Sequence, residues 1–114
     1  MPYINNTVSM KLTLEQEEYI KSQLGKIISE IPNKTEQWLM VSFSDDKVMY
    51  FGGERKTKVA YIDIRLLGSC SREHKNKIAN LITELFNDYL EIPNDCIYIT
   101  FQEFKDWAWN GSLF

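Results

Sequence analysis

The sequence predicts an α+β fold of two layers: a tandem β-α-β repeat forming a four-stranded mixed sheet with two helices on one face. Three observations carry that prediction. Two segments show the three- and four-residue apolar period of an amphipathic helix. Each is flanked by stretches with the two-residue alternation of a strand. Proline follows both helical segments. A chain of 114 residues has room for one core and little more, so residues 1–114 read as one domain.

The elements follow in order. Tyr3–Met10 reads as the first strand. Thr13-Leu14-Glu15-Gln16 has the spacing of a capping box, in which Thr13 accepts from the backbone and Gln16 reaches back. Ile20, Leu24, Ile27, Ile28 and Ile31 then mark one helical face, and Pro32 disfavours helical geometry at Ile31, where the helix should stop. In Trp38–Ser44, Leu39, Val41 and Phe43 alternate with Met40, Ser42 and Ser44. Gly52-Gly53 reads as a turn, and Arg55-Lys56-Thr57-Lys58 as a solvated hairpin or loop. Val59–Leu67 places Ala60, Ile62, Ile64 and Leu66 on one face and Tyr61, Asp63 and Arg65 on the other. Ser71 is the expected N-cap of the second helix, whose face is Ile78, Leu81, Ile82, Leu85, Phe86 and Leu90. After Pro93, Cys96–Gln102 closes the repeat as a strand.

Each helix is long enough to carry the chain across a sheet, so its flanking strands can pair in parallel by a right-handed crossover. Two helices cover only one sheet face. The other face carries Asn5, Thr7, Ser42, Ser44, Asp63, Arg65, Thr100 and Gln102, too polar for a dry core, yet Trp38, Tyr61 and Tyr98 lie in the same strands. A homo-oligomer turning its sheets toward a hydrated centre accommodates such a surface; so does a monomer with a solvated face.

Composition excludes several classes of function. The net charge of −3 argues against a nucleic-acid surface, which normally carries a basic stripe. No apolar stretch is long enough to cross a bilayer. Met1-Pro2-Tyr3-Ile4-Asn5-Asn6 lacks the basic and apolar regions of a signal peptide, so a cytosolic location is expected. Cys70 and Cys96 have no metal or C-x-x-C spacing and read as free thiols. The single histidine, His74, falls in the first turn of the second helix and reads as a surface residue. Nucleotide-loop, zinc and serine-nucleophile motifs are all missing, and neither a metal nor an organic cofactor is expected.

The remaining chemistry lies at the start of the chain. A small residue after Met1 permits methionine removal, which would leave Pro2 as a secondary amine. An α-amino group titrates near 7.7–8.0. An apolar setting lowers that value, toward what a general base needs at neutral pH. Many chains begin Met-Pro, and the dipeptide alone decides nothing.

Further anchors run the length of the chain: Phe51-Gly52-Gly53, Leu67-Gly68, Ile97-Tyr98-Ile99 and the closing Trp109-Asn110-Gly111-Ser112-Leu113-Phe114. With Met1-Pro2 they resemble the tautomerases related to macrophage migration inhibitory factor. The resemblance implies the same doubled β-α-β fold and a homotrimer around a polar channel. It implies that Pro2 is the catalytic base and that Lys34 attracts the substrate's carboxylate or developing enolate. By the same resemblance Leu67 binds substrate through its backbone N–H, and Tyr98 enters the site from a neighbouring subunit. Trp38, Trp109 and Phe114 match aromatic positions lining the pocket, although packing is the commoner role of such residues. Two departures stand out. Thr100 replaces an Asn with longer reach, and Trp107 stands where a smaller aliphatic residue is common. The family's C-x-x-C is absent, Lys56-Thr57-Lys58-Val59 taking its place, so thiol oxidoreductase activity is not expected.

The function expected from this resemblance is keto–enol tautomerisation of an aromatic 2-oxo acid such as phenylpyruvate. The alternative is a cytokine-like protein that engages a receptor, with weak or no tautomerase activity; it would require secretion by a non-classical route. A third reading keeps Pro2 but changes the chemistry to dehalogenation, hydration or decarboxylation, with Arg65 as the extra charged residue such reactions recruit.

Overall fold

In the computed structural model, which describes residues 1–114, both halves of the predicted repeat form. Strand β1 (Pro2–Val8) leads to helix α1 (Leu14–Ile28) and strand β2 (Met40–Ser44). A short hairpin follows, β3 (Met49–Phe51) and β4 (Glu54–Lys56). The second half is β5 (Ala60–Leu67), α2 (Arg72–Leu90) and β6 (Ile97–Phe104), and a second small hairpin, β7 (Ala108–Trp109) and β8 (Ser112–Leu113), ends the chain.

The capping box closes as its spacing requires: Gln16 N–H donates to Thr13 Oγ1 at 3.1 Å and Thr13 N–H to Gln16 Oε1 at 2.9 Å. The helix ends at Ile28, three residues before the expected stop. Beyond it the chain tightens into bonds between residues three apart, Ile31 N–H to the Ile28 carbonyl and Lys34 N–H to the Ile31 carbonyl, so Ile31 stays buried without being helical. At the head of α2 the Ser71 hydroxyl accepts from His74 N–H, which puts His74 in the first turn. β1 begins at Pro2 and ends two residues short of Met10, and β6 runs two residues past Gln102 to pair Glu103 and Phe104 with Leu66 and Leu67.

The main sheet has the order β2-β1-β5-β6. Its outer pairs, β1 with β2 and β5 with β6, are parallel and each spans a helix; the central pair, β1 with β5, is antiparallel. The alternation sorts the strands as read. Ile4, Val8, Ile62, Ile64 and Leu66 turn inward against Ile20, Leu24, Ile28, Ile78, Ile82 and Phe86 of the helices, all buried. Asn6 shares that inner face. Its Nδ2 donates to the Ser42 carbonyl at 3.0 Å, while its Oδ1 is buried without a partner.

The outer face is a network of short polar contacts. Tyr3 Oη and Ser42 Oγ are 2.8 Å apart, Ser42 Oγ donates to Asn5 Oδ1 at 2.7 Å, and Tyr61 Oη lies 2.8 Å from Thr100 Oγ1. Neither helix covers this face.

Candidate active site

Pro2 opens β1 at the point where the strand pairs with Leu66 of β5. Proline has no N–H to offer a ladder and is tolerated at a strand's first residue. The ring is buried, and Met1 extends from it past the sheet end. There the Met1 carbonyl accepts a hydrogen bond from Leu67 N–H at 3.1 Å. Leu67 serves twice, because its own carbonyl accepts from Lys34 Nζ at 2.8 Å. Lys34 arrives from the tightened turn after α1, where Asn33 adopts a left-handed φ of 67° and redirects the chain.

The Met1 α-amine sits beside Lys34, and its pKa is lowered from 8.0 to about 6. Burial is the largest cause; the Lys34 ammonium adds a repulsive charge and a hydrogen bond that favours the neutral amine. This sheet end therefore disfavours the charged form of the Met1 α-amine.

The aromatic residues close around the same point. Trp38 lies on a single 3₁₀ turn (Glu36–Trp38) before β2, and its ring meets Trp109 edge-on, centroids 5.0 Å apart and planes at 89°. Trp109 in turn stacks with Phe114 at 6.5 Å. The β7–β8 hairpin makes this arrangement possible. Asn110-Gly111, both with positive φ, form its two-residue turn, and Phe114 N–H donates to the Trp107 carbonyl at 3.0 Å. Met1, Pro2, Trp38, Met40, Trp107 and Trp109 line a cavity of about 340 Å³. Lys34 and Leu67 stand beside it at the Met1 backbone rather than in its wall.

Of the residues singled out in the sequence, one chain thus gathers Pro2, Lys34, Leu67, Trp38, Trp107, Trp109 and Phe114 at one end. It does not bring Tyr98 and Thr100 there. Tyr98 pairs with Tyr61, five residues along β6 from the level of Leu66, about 17 Å away at ~3.3 Å per residue. It is 62 % exposed and packs on Phe51 of the β3–β4 hairpin at 5.1 Å, while Thr100 is held by Tyr61. Tyr3 and Met40 line the cavity without having been identified from the sequence as site residues. Their place in the outward alternation of β1 and β2, next to Pro2, was the available signal.

The family model for macrophage migration inhibitory factor matches residues 1–114. The chain belongs to that family. Among solved structures, MIF2 of Leishmania major superposes with a TM-score of 0.90 at 26 % identity, over 100 % of this chain and 97 % of its own. A macrophage migration inhibitory factor-like protein of Entamoeba histolytica gives 0.87 at 25 % identity, over 99 % and 98 %. The fold extends to N1, a member of the cis-3-chloroacrylic acid dehalogenase family, with a TM-score of 0.84 at 16 % identity over 97 % and 82 %. No curated protein sequence matches the chain.

Proposed function

We propose that this protein is a keto–enol tautomerase of aromatic 2-oxo acids whose base is Pro2, freed by removal of Met1. The observation that carries the reading is the seat of Met1. Its carbonyl takes the Leu67 N–H, and its amine rests against Lys34 at a position that disfavours charge. Removing Met1 leaves three functions facing one space: a secondary amine at Pro2, an unpaired backbone donor at Leu67 and the ammonium of Lys34. Family membership supports tautomerase-type chemistry at that place.

In the reaction, the neutral Pro2 nitrogen takes a proton from the carbon next to the ketone. The C–H electron pair becomes the C=C bond, and the ketone oxygen gains the charge. Leu67 N–H and Lys34 stabilise that oxygen, fixed donors being most effective where water is thinned out. Protonated Pro2 then delivers its proton to the oxygen, giving the enol and restoring the base. Trp38, Trp109 and Phe114 hold the substrate's ring. Every step uses groups of the protein alone.

Tyr98 and Thr100 join this scheme if a second copy supplies them, and a homotrimer with inward-facing sheets is part of the proposal. The uncovered polar face and the exposed Tyr98 at the sheet's far end support it.

The test is phenylpyruvate tautomerisation by protein shown by mass spectrometry to begin at Pro2, beside a Pro2→Gly variant. Turnover that falls at least a hundredfold in the variant is the expected result. No turnover from a verified Pro2 terminus would overturn the assignment and leave receptor binding as the reading to pursue.

A further inference from the structure

The loop after β5 runs from the Pro2 site to the head of α2, and the last two residues of β6 hold it. Leu67 ends β5 in register with Phe104. Gly68 then turns with a left-handed φ of 81° and donates its N–H to the Phe104 carbonyl at 2.8 Å. Two residues on, Cys70 N–H donates to Glu103 Oε2 at 2.6 Å. The same oxygen takes Lys75 Nζ, from the start of α2, at 3.3 Å. The bonds from Gly68 and Cys70 are the ones that tie this loop to β6.

The strand's alternation places Glu103 for this task. Ile97, Ile99 and Phe101 pack against the core, and Glu103 is next in that row. Its side chain therefore turns toward α2 rather than toward the polar outer face. The Cys70 N–H, with Lys75 beside it, holds the Glu103 carboxyl below its ordinary value. An ionised acceptor makes the stronger bond to a backbone N–H. The loop in turn holds the Leu67 peptide. The Leu67 carbonyl, which accepts from Lys34 Nζ at 2.8 Å, and the Gly68 N–H are opposite ends of one planar unit. Fixing one end orients the other.

We propose that Glu103 is a positioning residue of the Pro2 site: by anchoring Cys70 N–H it steadies the loop, and through the Leu67–Gly68 peptide it keeps the Leu67 N–H and the Lys34 ammonium aimed at the reacting oxygen. The inference rests on the tautomerase reading for its reaction. Glu103 acts wholly through the loop, so removing it loosens the two donors without deleting either. The loss should be a part of the ~10²–10³ that follows deletion of an oxyanion donor. It should fall on kcat, because the aromatic residues that hold the substrate's ring are untouched.

The experiment compares Pro2-terminated wild type, Glu103→Ala and Glu103→Gln with phenylpyruvate as substrate. The Gln variant keeps an oxygen within reach of Cys70 N–H, as a merely charged role would not require. Three results are expected. In Glu103→Ala kcat falls at least fivefold while KM changes less than twofold. In Glu103→Gln kcat stays within twofold of wild type. Hydrogen exchange of the Gly68 amide, followed by NMR, quickens at least fivefold in Glu103→Ala and less than twofold in Glu103→Gln. All three are required, and the failure of any one overturns the proposal. Should Glu103→Ala not fold, Glu103→Thr, which suits a strand and is too short to reach Cys70, replaces it under the same criteria. If wild type itself gives no turnover, the tautomerase reading has failed, and the exchange of the Gly68 amide alone decides whether Glu103 holds the loop.

Discussion

Lys34 acts on the site through charge as well as through hydrogen bonding. Its ammonium is one of the causes that hold the neighbouring α-amine below its ordinary value of 8.0. A general base must be neutral, so the activity of the Pro2-terminated protein should rise with pH through a midpoint below the usual α-amino range. Lys34→Met removes one of the lowering causes and should move that midpoint to higher pH. It should also reduce kcat/KM about a hundredfold, the low end of the ~10²–10³ lost with a single oxyanion donor; a pH–rate profile of both proteins checks the two effects together. The Met1-bearing form gives a separate sign. Its folded amine, at about 6, releases a proton that the unfolded chain keeps until about 8. The unfolded state thus binds more protons between those values, and folding stability should rise with pH across that window, as paired melts at pH 6 and pH 8 would show. Residue by residue, the sequence disclosed these groups unevenly. Pro2 is legible because its position directly after Met1 would make it an amine once Met1 is removed. Leu67 is not, since its contribution is an N–H and a carbonyl that every residue except proline possesses. Only the resemblance pointed to it. Asn6 is the opposite case: alternation placed it inward, but nothing in the sequence told that its Oδ1 would be left unpartnered there.

Each element's ends depend on a few local contacts that can be broken singly. Thr13→Ala removes the side chain that receives Gln16 N–H and should cost about 1 kcal/mol, seen as a fall in Tm of about 4 °C. Glu36 lies over α1 where a methyl at Gly25 would stand. Gly25→Ala alone must displace that side chain. Combined with Glu36→Ala it should raise stability by about 1 kcal/mol, the ordinary helical gain of Ala over Gly, and denaturant titration of the two variants separates the cases. The terminal hairpin makes a functional prediction. Gly111 has φ 83°, so Gly111→Ala strains the turn that carries Trp109 and Phe114, and KM for an arylpyruvate should increase more than the melt declines. The periodicities revealed both helices and the four long strands, because burial on one face leaves a repeat of 3.6 or 2 in the residues themselves. The two-residue strands β7 and β8 are too short to show a period. Their signal was Asn110-Gly111, a dipeptide suited to a hairpin by its tolerance of positive φ.

At the scale of the molecule, the apolar residues are spent on one sheet face, and the other is polar, self-bonded and uncovered. If three copies enclose that face, each Pro2 would work with a Tyr98 from another chain. Sedimentation should then give a species of three chains. Mixing Pro2→Gly protein with Tyr98→Ala protein under conditions of subunit exchange should restore activity that neither shows alone. A monomeric sedimentation coefficient, or mixtures no better than their components, would count against the shared site. The parallel pairing of the strands that flank each helix was legible because a crossover helix between two strands leaves few connections open, whereas the antiparallel pairing of β1 with β5 at the centre of the sheet was not. The offset of about 17 Å along the strands between the levels of Pro2 and Tyr98 was not, since it depends on register, which the alternation fixes only to within steps of two.

Leu67 has a consequence for how such proteins diverge. Both of its contacts, to Met1 and to Lys34, are made by main-chain atoms, so its side chain is released from them. Position 67 can drift through mutation among residues that suit its half-buried setting while its anchoring groups persist. Methods that score residue identity will underrate it, and a saturation library at this codon should tolerate nearly everything that packs there. Proline alone deletes the donor outright, and it is the one substitution whose depletion from the surviving clones would expose a function written in the backbone.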